Sequence, residues 1–109
     1  MGDINYFSGI VKILENPIKI FLNNKISITK FRVEIPQKRK NKILTLIFWG
    51  TLVDEVKLYY QVNDYILIEG FISIQKKKNQ KLRTKNSKQI IVTVAKVYPF
   101  LLKSNEVSL

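Results

Sequence analysis

The side chains of this sequence that could do chemistry are mostly cationic, and they are concentrated in two short segments. The chain carries 19 lysine and arginine residues against 8 aspartate and glutamate residues, which gives a net charge of +11. Residues 36–42 and 76–88 hold eleven of the basic residues and no acidic one, so they account for the whole excess. Charge of one sign at this density exceeds what solubility requires and favours a polyanionic partner. The cations of these segments that we predict to contact phosphate are Lys38, Arg39, Lys40, Lys76, Lys77, Lys78, Lys81, Arg83 and Lys85.

DNA is one of several partners that would satisfy these charges. A solvated surface without a ligand, a membrane surface and RNA remain open as alternatives at this stage. Two more basic residues, Lys30 and Arg32, alternate with apolar residues and therefore fall on the outward face of a predicted strand. We include both among the candidate nucleic-acid-binding residues.

Trp49, the only tryptophan, is the first candidate for stacking against a nucleobase. Base–aromatic stacking contributes about 1–3 kcal/mol per base and tolerates any base sequence. A lone tryptophan often completes a core instead, so that alternative stays open. Thr45 shares a strand face with Trp49, and a threonine there predicts that this face is partly exposed. Phe71 alternates with Ser73 and Gln75 in the same way and is the second stacking candidate.

Catalysis and metal binding find no support in the residue types. The sequence has no histidine and no cysteine, which excludes imidazole and thiolate ligands or nucleophiles. Asp54 and Glu55 suit the start of a helix and Asp64 suits a turn, while no glycine-rich phosphate-binding spacing occurs. We therefore expect a binding protein rather than an enzyme, with no cofactor and no bound metal.

Alternating and β-branched runs predict five strands that position these side chains. Pro36 and Pro99 are expected to end the second and the fifth of them, because proline cannot donate to a strand ladder. Asn63 and Asp64 predict a turn into the fourth strand. Residues 18–22 form a short apolar segment that is not assigned to a strand. The predicted strands cover residues 5–14, 25–35, 42–49, 65–75 and 89–98.

One helix is predicted between the third and fourth strands. Apolar and aromatic side chains recur at helical spacing over residues 52–60, and Thr51, with an acidic residue three positions later, resembles a capping box. This order of elements is typical of an OB-fold, a five-stranded Greek-key barrel, whereas a sandwich would need about seven strands and no helix. We predict an all-β chain with a single OB-fold domain over residues 1–103 and a short tail over residues 104–109.

The central run IFWGTLVDEVKLYYQVNDYILIEGFIS resembles the core of the bacterial single-stranded-DNA-binding protein family. In that family a strand that ends in an aromatic–glycine pair precedes a helix, and here Trp49-Gly50 follows Phe48. The family's next strand carries a Glu-Gly pair, which Glu69-Gly70 matches. Upstream, NYFSGIVKI and ISITKFRVEI resemble the family's first two strands. The resemblance implies an OB-fold, sequence-independent binding of single-stranded DNA in replication or repair, and base stacking by Trp49.

The chain departs from that family at three places. Ile43 and Lys77 stand where the family often has further stacking aromatics, and the tail SNEVSL is not the family's acidic peptide. Small plastid-encoded relatives in red algae and the primosomal replication protein N are similar in lacking that peptide. Together with a residue usage typical of AT-rich genomes, the resemblance implies a plastid (chloroplast) protein, or otherwise one of a bacterial cytoplasm.

The resemblance also implies protein partners. It predicts a homo-oligomer, a dimer or tetramer, with the first strand as an edge available for pairing, and replication proteins as further partners. Two other functions stay open, an adaptor that docks a helicase or primase and an RNA-binding OB module. No apolar run approaches the ~20 residues of a membrane span, so we expect no membrane association.

Overall fold

The computed structural model describes residues 5–37, 40–77 and 87–103, and for residues 76, 77 and 87 the backbone alone. Across these residues the chain forms six β-strands and one α-helix. In chain order the elements are β1 (Tyr6–Ile13), β2 (Ile18–Phe21), β3 (Ser27–Ile35), β4 (Lys42–Phe48), α1 (Leu52–Tyr59), β5 (Tyr65–Lys77) and β6 (Ser87–Leu101).

The strands form one sheet that closes on itself as a barrel. Their order is β1-β5-β6-β4-β3-β2, and a further antiparallel pairing joins Lys12 and Ile13 of β1 to β3. β4 and β6 run parallel, so Lys42 and Ser87, where these strands begin, lie at the same end of the barrel. The predicted all-β class with one helix is confirmed, although the described residues form six strands rather than five.

Strand alternation fills the barrel interior with apolar side chains. Leu46 and Phe48 of β4 point inward and are fully buried, as the sequence predicts. The rings of Phe31 and Phe48 stack with their centroids 5.3 Å apart. Val53 and Val56 of α1 are buried as well, because the helix packs its apolar side against β2, β3 and β4. The core therefore lies inside the barrel and under the helix, which leaves the outer sheet face for binding.

The strand that the sequence missed is β2. It pairs antiparallel with β3 over the register from Ile18–Lys30 to Phe21–Ser27. A turn follows it, in which the Asn23 side-chain oxygen accepts hydrogen bonds from the backbone N–H groups of Lys25 and Ile26. β2 has four residues and little burial, so its pattern lacks the alternation that marks a strand buried on one face.

One predicted helix cap and one predicted strand end are wrong, although the helix begins directly after Thr51 as predicted. Thr51 has helical backbone angles and makes no side-chain capping hydrogen bond; the chain instead turns at Gly50, whose φ is 64° and whose carbonyl accepts from the Val53 N–H. Pro99 does not end β6, which continues to Leu101. Pro99 is tolerated there because it lies at an irregularity in the pairing with β5.

The predicted turn at Asn63 and Asp64 is present, and the buried side chain of Asp64 holds it in place. Asn63 has a φ of 75°, and the Asp64 side chain is fully buried. Its two carboxylate oxygens accept hydrogen bonds from the backbone N–H groups of Gln61, at 2.9 Å, and Lys103, at 2.7 Å. This one carboxylate thus joins the turn before β5 to the chain after β6.

Candidate nucleic-acid interface

A row of side chains crosses four strands on the outer face of the barrel. Phe71 of β5 is paired with Thr93 of β6, Thr93 with Ile47 of β4, and Ile47 with Lys30 of β3. Residues paired directly across neighbouring strands project from the same face. At about 4.8 Å between strands, Phe71 and Lys30 lie roughly 14 Å apart along the sheet. The row therefore joins an aromatic candidate and a basic candidate that are 41 positions apart in the sequence.

Trp49 continues this face at the end of β4. It follows Ile47 by two residues and therefore projects to the same side. Its side chain is 45% exposed and lies beside a shallow pocket of about 220 Å³ that Lys25, Ile26 and Ser27 also line. The alternative that Trp49 completes the core is wrong. The indole is therefore only partly packed and is accessible to a ligand.

Phe71 is the second exposed ring of the outer face, at 50% exposure. Gly70 brings β5 close to β6, since a Cβ at Gly70 would collide with the Thr93 carbonyl oxygen. The pairing register also shifts between Glu69 and Gly70, which sets Phe71 opposite Thr93. The Glu-Gly pair of the sequence motif therefore positions this aromatic ring.

Tyr6 supports Phe71 from the neighbouring strand β1. The two rings meet edge to face with centroids 5.4 Å apart, and the Tyr6 hydroxyl donates a 2.6 Å hydrogen bond to the Glu69 carboxylate. This hydrogen bond, followed by partial desolvation and the charge of Glu69, raises the pKa of Tyr6 above its usual 10.0. The sequence did not identify Tyr6, because its role depends on the β1–β5 register, which no local pattern gives.

In the next row of the outer face, Ile91 and Thr45 are covered rather than exposed. Ile91 and Thr45 are neighbours in this row and are 5% and 3% exposed. Gln89 donates a hydrogen bond from its amide nitrogen to the Thr45 hydroxyl at 2.9 Å. The expectation that Thr45 marks an exposed patch is therefore wrong, because strand parity gives the side of the sheet but not what covers it.

Arg32, in the same row, is already paired with an acidic residue. Its Nε donates to both carboxylate oxygens of Glu15, at 3.2 and 3.3 Å, and its backbone N–H donates to Glu15 at 3.0 Å. The Arg32 side chain is nevertheless 59% exposed. Because the Glu15 contact uses Nε, the terminal nitrogens of the guanidinium remain the groups nearest to an incoming phosphate.

The remaining basic candidates that the structure describes lie at one end of the barrel. Lys40, in the connection from β3 to β4, is exposed, and so is Lys42 at the start of β4. Lys76 and Lys77 extend β5, and only their backbone is described, paired with Lys88 and Ser87. Since β4 and β6 begin at the same end, both basic segments start there. Lys38, Arg39, Lys78, Lys81, Arg83 and Lys85 lie outside the described residues.

The described ranges contain neither a metal-binding cluster nor a membrane-spanning helix. Among residues 5–37, 40–77 and 87–103, no group of three or more acidic, histidine or cysteine side chains could hold a metal ion. No helix of this part of the chain is long and apolar enough to cross a membrane.

Comparison with known proteins decides the family. No protein-family model matches the chain. A protein of Trieres chinensis named "Putative single-stranded DNA-binding protein ycf41" is 35% identical over 105 residues, which cover 93% of each of the two chains. The chain belongs to the ycf41 family of single-stranded DNA-binding proteins. The similarity covers the barrel, the helix and both basic segments of this ycf41-family chain.

Solved structures share the fold of the ycf41-family barrel. The small single-stranded DNA-binding protein of Streptomyces coelicolor matches with a TM-score of 0.78 at 8% identity, covering 92% of this chain and 97% of that one. The SSB domain of a Synechococcus sp. protein matches with a TM-score of 0.69 at 21% identity, covering 90% and 98%. The second single-stranded DNA-binding protein of Mycobacterium smegmatis matches with a TM-score of 0.69 at 18% identity, covering 98% of this chain and 96% of that one. The predicted OB-fold is confirmed.

Proposed function

We propose that this protein binds single-stranded DNA on the outer face of its barrel without reading the base sequence. The observation that carries the proposal is the pair of half-exposed rings, Trp49 and Phe71, on the face that also bears Lys30. Every base has a π-face, so stacking on such rings is tolerant of sequence. The name of the Trieres chinensis relative supports the same ligand.

Binding combines stacking with phosphate contacts. Lys30 and Lys40 are described cations on or beside this face, and the two basic segments start at one end of it. Phosphate contacts hold a strand in position without selecting bases. A DNA strand that crosses the row from Lys30 to Phe71 would therefore stack bases on the rings and direct its phosphates towards the end of the barrel where β4 and β6 begin.

The proposal includes a role in replication or repair, self-association and a plastid location. Self-association is supported by the free side of β1, since β3 pairs with β1 only at Lys12 and Ile13 among the described residues. The plastid location is supported by the resemblance to plastid-encoded relatives and by the AT-rich residue usage. Light scattering at micromolar concentration tests self-association, and a monomer mass would contradict it.

The lone tryptophan provides the test of ligand class. Titration of Trp49 fluorescence with oligothymidylate is expected to give saturable quenching, because the Trp49 side chain is partly exposed. A matched oligouridylate and a duplex of equal length are the comparison ligands. Weaker binding of both supports single-stranded DNA, and tighter binding of the ribo-oligonucleotide would assign RNA instead. Unchanged fluorescence together with unchanged anisotropy of a labelled strand would contradict nucleic-acid binding.

A further inference from the structure

An apolar pocket of about 560 Å³ opens at the end of the barrel where both basic segments start. Its volume falls within the ~300–1,000 Å³ range of pockets that bind small ligands. The apolar side chains that line it come from β1, β3, β4, β5 and β6, namely Phe7, Ile35, Leu44, Ile72, Ile74 and Ile90.

The two ends of the barrel differ because α1 covers only one of them. The helix follows the C-terminal end of β4 and buries Val53 and Val56 there. Lys42 marks the opposite end, where β4 begins and where the pocket opens. Ile74 at its mouth remains 63% exposed. Among the described residues, the core is therefore covered by the helix at one end and accessible from the other.

The chemistry of the pocket matches a flat apolar group joined to an anion. Its floor is apolar, and the described residues that line it include the cation Lys42 and the amides of Asn5 and Gln37, but no carboxylate. Apolar walls with a few polar groups at the rim are the usual composition of a small-molecule site. A nucleobase with its phosphate has the complementary chemistry.

Tyr6 connects this pocket to the outer face. Its ring contacts Phe71 on that face and also lines the pocket. Ile72 follows Phe71 in β5 and points the other way, into the pocket. A DNA strand that stacks on Phe71 therefore lies next to the pocket mouth, which Lys42 also lines.

We propose that the pocket receives one base of the bound single strand, a site distinct from stacking on the outer face. This inference rests on the proposed function, because the occupant is a base of the same strand. Inserting the base buries its faces against isoleucine side chains, while its phosphate remains near Lys42 at the rim.

Methyl NMR spectroscopy of the whole chain, with isoleucine δ1 methyl groups labelled, separates the two sites. Ile43 and Ile47 report on the outer face, and Ile35, Ile72 and Ile90 report on the pocket. Oligothymidylate is expected to shift both sets, and a matched strand with abasic sites in place of bases should leave the pocket set unshifted. Shifts of the outer set alone would overturn the pocket inference and leave the proposed function standing. Equal pocket shifts with the abasic strand would overturn base insertion, and an absence of binding to either strand would overturn the proposed function itself.

A matched pair of variants tests the pocket by affinity. Ile74→Ser removes exposed apolar surface at the mouth and is expected to weaken oligothymidylate binding about three- to tenfold, the effect of one or two lost methylene contacts. Leu58→Ser is the control, because Leu58 is 75% exposed on α1 at the other end of the barrel. Affinity for the abasic strand should be the same in both variants. Equal oligothymidylate affinities of Ile74→Ser and Leu58→Ser would contradict the proposal.

Discussion

Tyr6 and Phe71 meet edge to face across β1 and β5, with ring planes at 73° and centroids 5.4 Å apart. The Tyr6 hydroxyl is held by Glu69, which immediately precedes the close-approach residue Gly70. Tyr6 thus packs against the Phe71 ring, and Phe71 remains 50% exposed. A ring that is held by a neighbour and remains half exposed is suited to stacking, because little side-chain entropy is lost when a base binds.

The first prediction concerns this ring. Phe71→Ala is expected to weaken single-stranded DNA binding by about 1–3 kcal/mol, the value of one lost stack. Phe100→Ala is the matched control, because Phe100 is 61% exposed near the far end of β6, away from the Phe71–Lys30 row. Anisotropy of a fluorescent oligonucleotide measures both affinities. Equal affinities of the two variants would remove Phe71 from the interface.

The second prediction concerns alkaline pH. The pKa of Tyr6 is raised in the folded protein, first by its hydrogen bond to Glu69, so folding favours the protonated phenol. The corresponding stability is fully present below the unfolded pKa of about 10 and is lost as pH rises through the higher folded pKa. Ultraviolet titration should therefore show that Tyr6→Phe removes a tyrosine that ionises late. Tyr60 also ionises late, because its pKa is raised, chiefly by burial. A late phase of equal amplitude in the wild type and in Tyr6→Phe would therefore mean that Tyr60 alone supplies it, and would contradict the Glu69 contact.

The third prediction concerns the Glu15–Arg32 ion pair. Glu15→Gln should release Arg32 towards phosphate and make the slope of log affinity against log salt more negative by up to about 0.7. An exposed ion pair is worth about 0–1 kcal/mol, so affinity at low salt should rise no more than about fivefold. Glu34→Gln removes the same charge two residues from Arg32 along β3 and serves as the control. If Glu15→Gln bound more weakly than Glu34→Gln, Glu15 would be orienting Arg32 rather than masking it.

Much of the fold could be predicted because it depends on local periodicity. The inward set of β4 and the helix after it follow from spacings of two and about 3.6 residues, and both are present. β2 was missed because its four residues lie on an edge with most side chains exposed, so burial leaves no pattern in them. Thr51 matched a capping pattern, but the positive φ of Gly50 provides the turn instead.

The site was only partly predictable, since its residues meet through pairings between distant strands. Phe71 could be identified from alternation, and Trp49 from alternation together with the family resemblance; both are exposed. Tyr6 could be identified as a site residue only from the β1–β5 register. The burial of Thr45 could be recognised only from the position of the Gln89 side chain, which covers it. Arg32 was predicted as a nucleic-acid-binding cation, and the structure pairs it with Glu15, 17 positions away. Such contacts between distant residues leave no short-range signal in one sequence.

The fourth prediction concerns the buried carboxylate that joins the turn to the chain after β6. Asp64→Ala should lower the free energy of unfolding by about 2–4 kcal/mol, because two backbone N–H groups lose a charged acceptor. Asp54→Ala is the matched control: the Asp54 side chain is 79% exposed and forms a surface ion pair with Lys19, so the loss should be at most about 1 kcal/mol. Urea denaturation followed by circular dichroism measures both, and equal losses would contradict the anchoring role of Asp64.

The last prediction weighs charge against stacking. Two positions where the family often has aromatics are Ile43 and Lys77, so binding should depend strongly on electrostatics. If about four to six cations contact phosphates, the slope of log affinity against log salt should be about −3 to −4, at about −0.7 per phosphate of a single strand. Trp49→Ala should cost about 1–3 kcal/mol, the value of one stack, and leave that slope nearly unchanged, because it removes no charge.

The measurement is a pair of salt titrations, wild type and Trp49→Ala, by anisotropy of a labelled strand, with folding checked by circular dichroism. Replacing Lys77, Lys78 and Arg83 by glutamine in the same assay should do the reverse and flatten the slope by about 2, the contribution of three phosphates. In the plot of log affinity against log salt, a change in stacking then shifts the line by a constant amount, whereas a change in charge alters its slope. A flat salt dependence in the wild type would contradict the phosphate contacts, and a folded Trp49→Ala protein of unchanged affinity would leave Phe71 as the stacking ring.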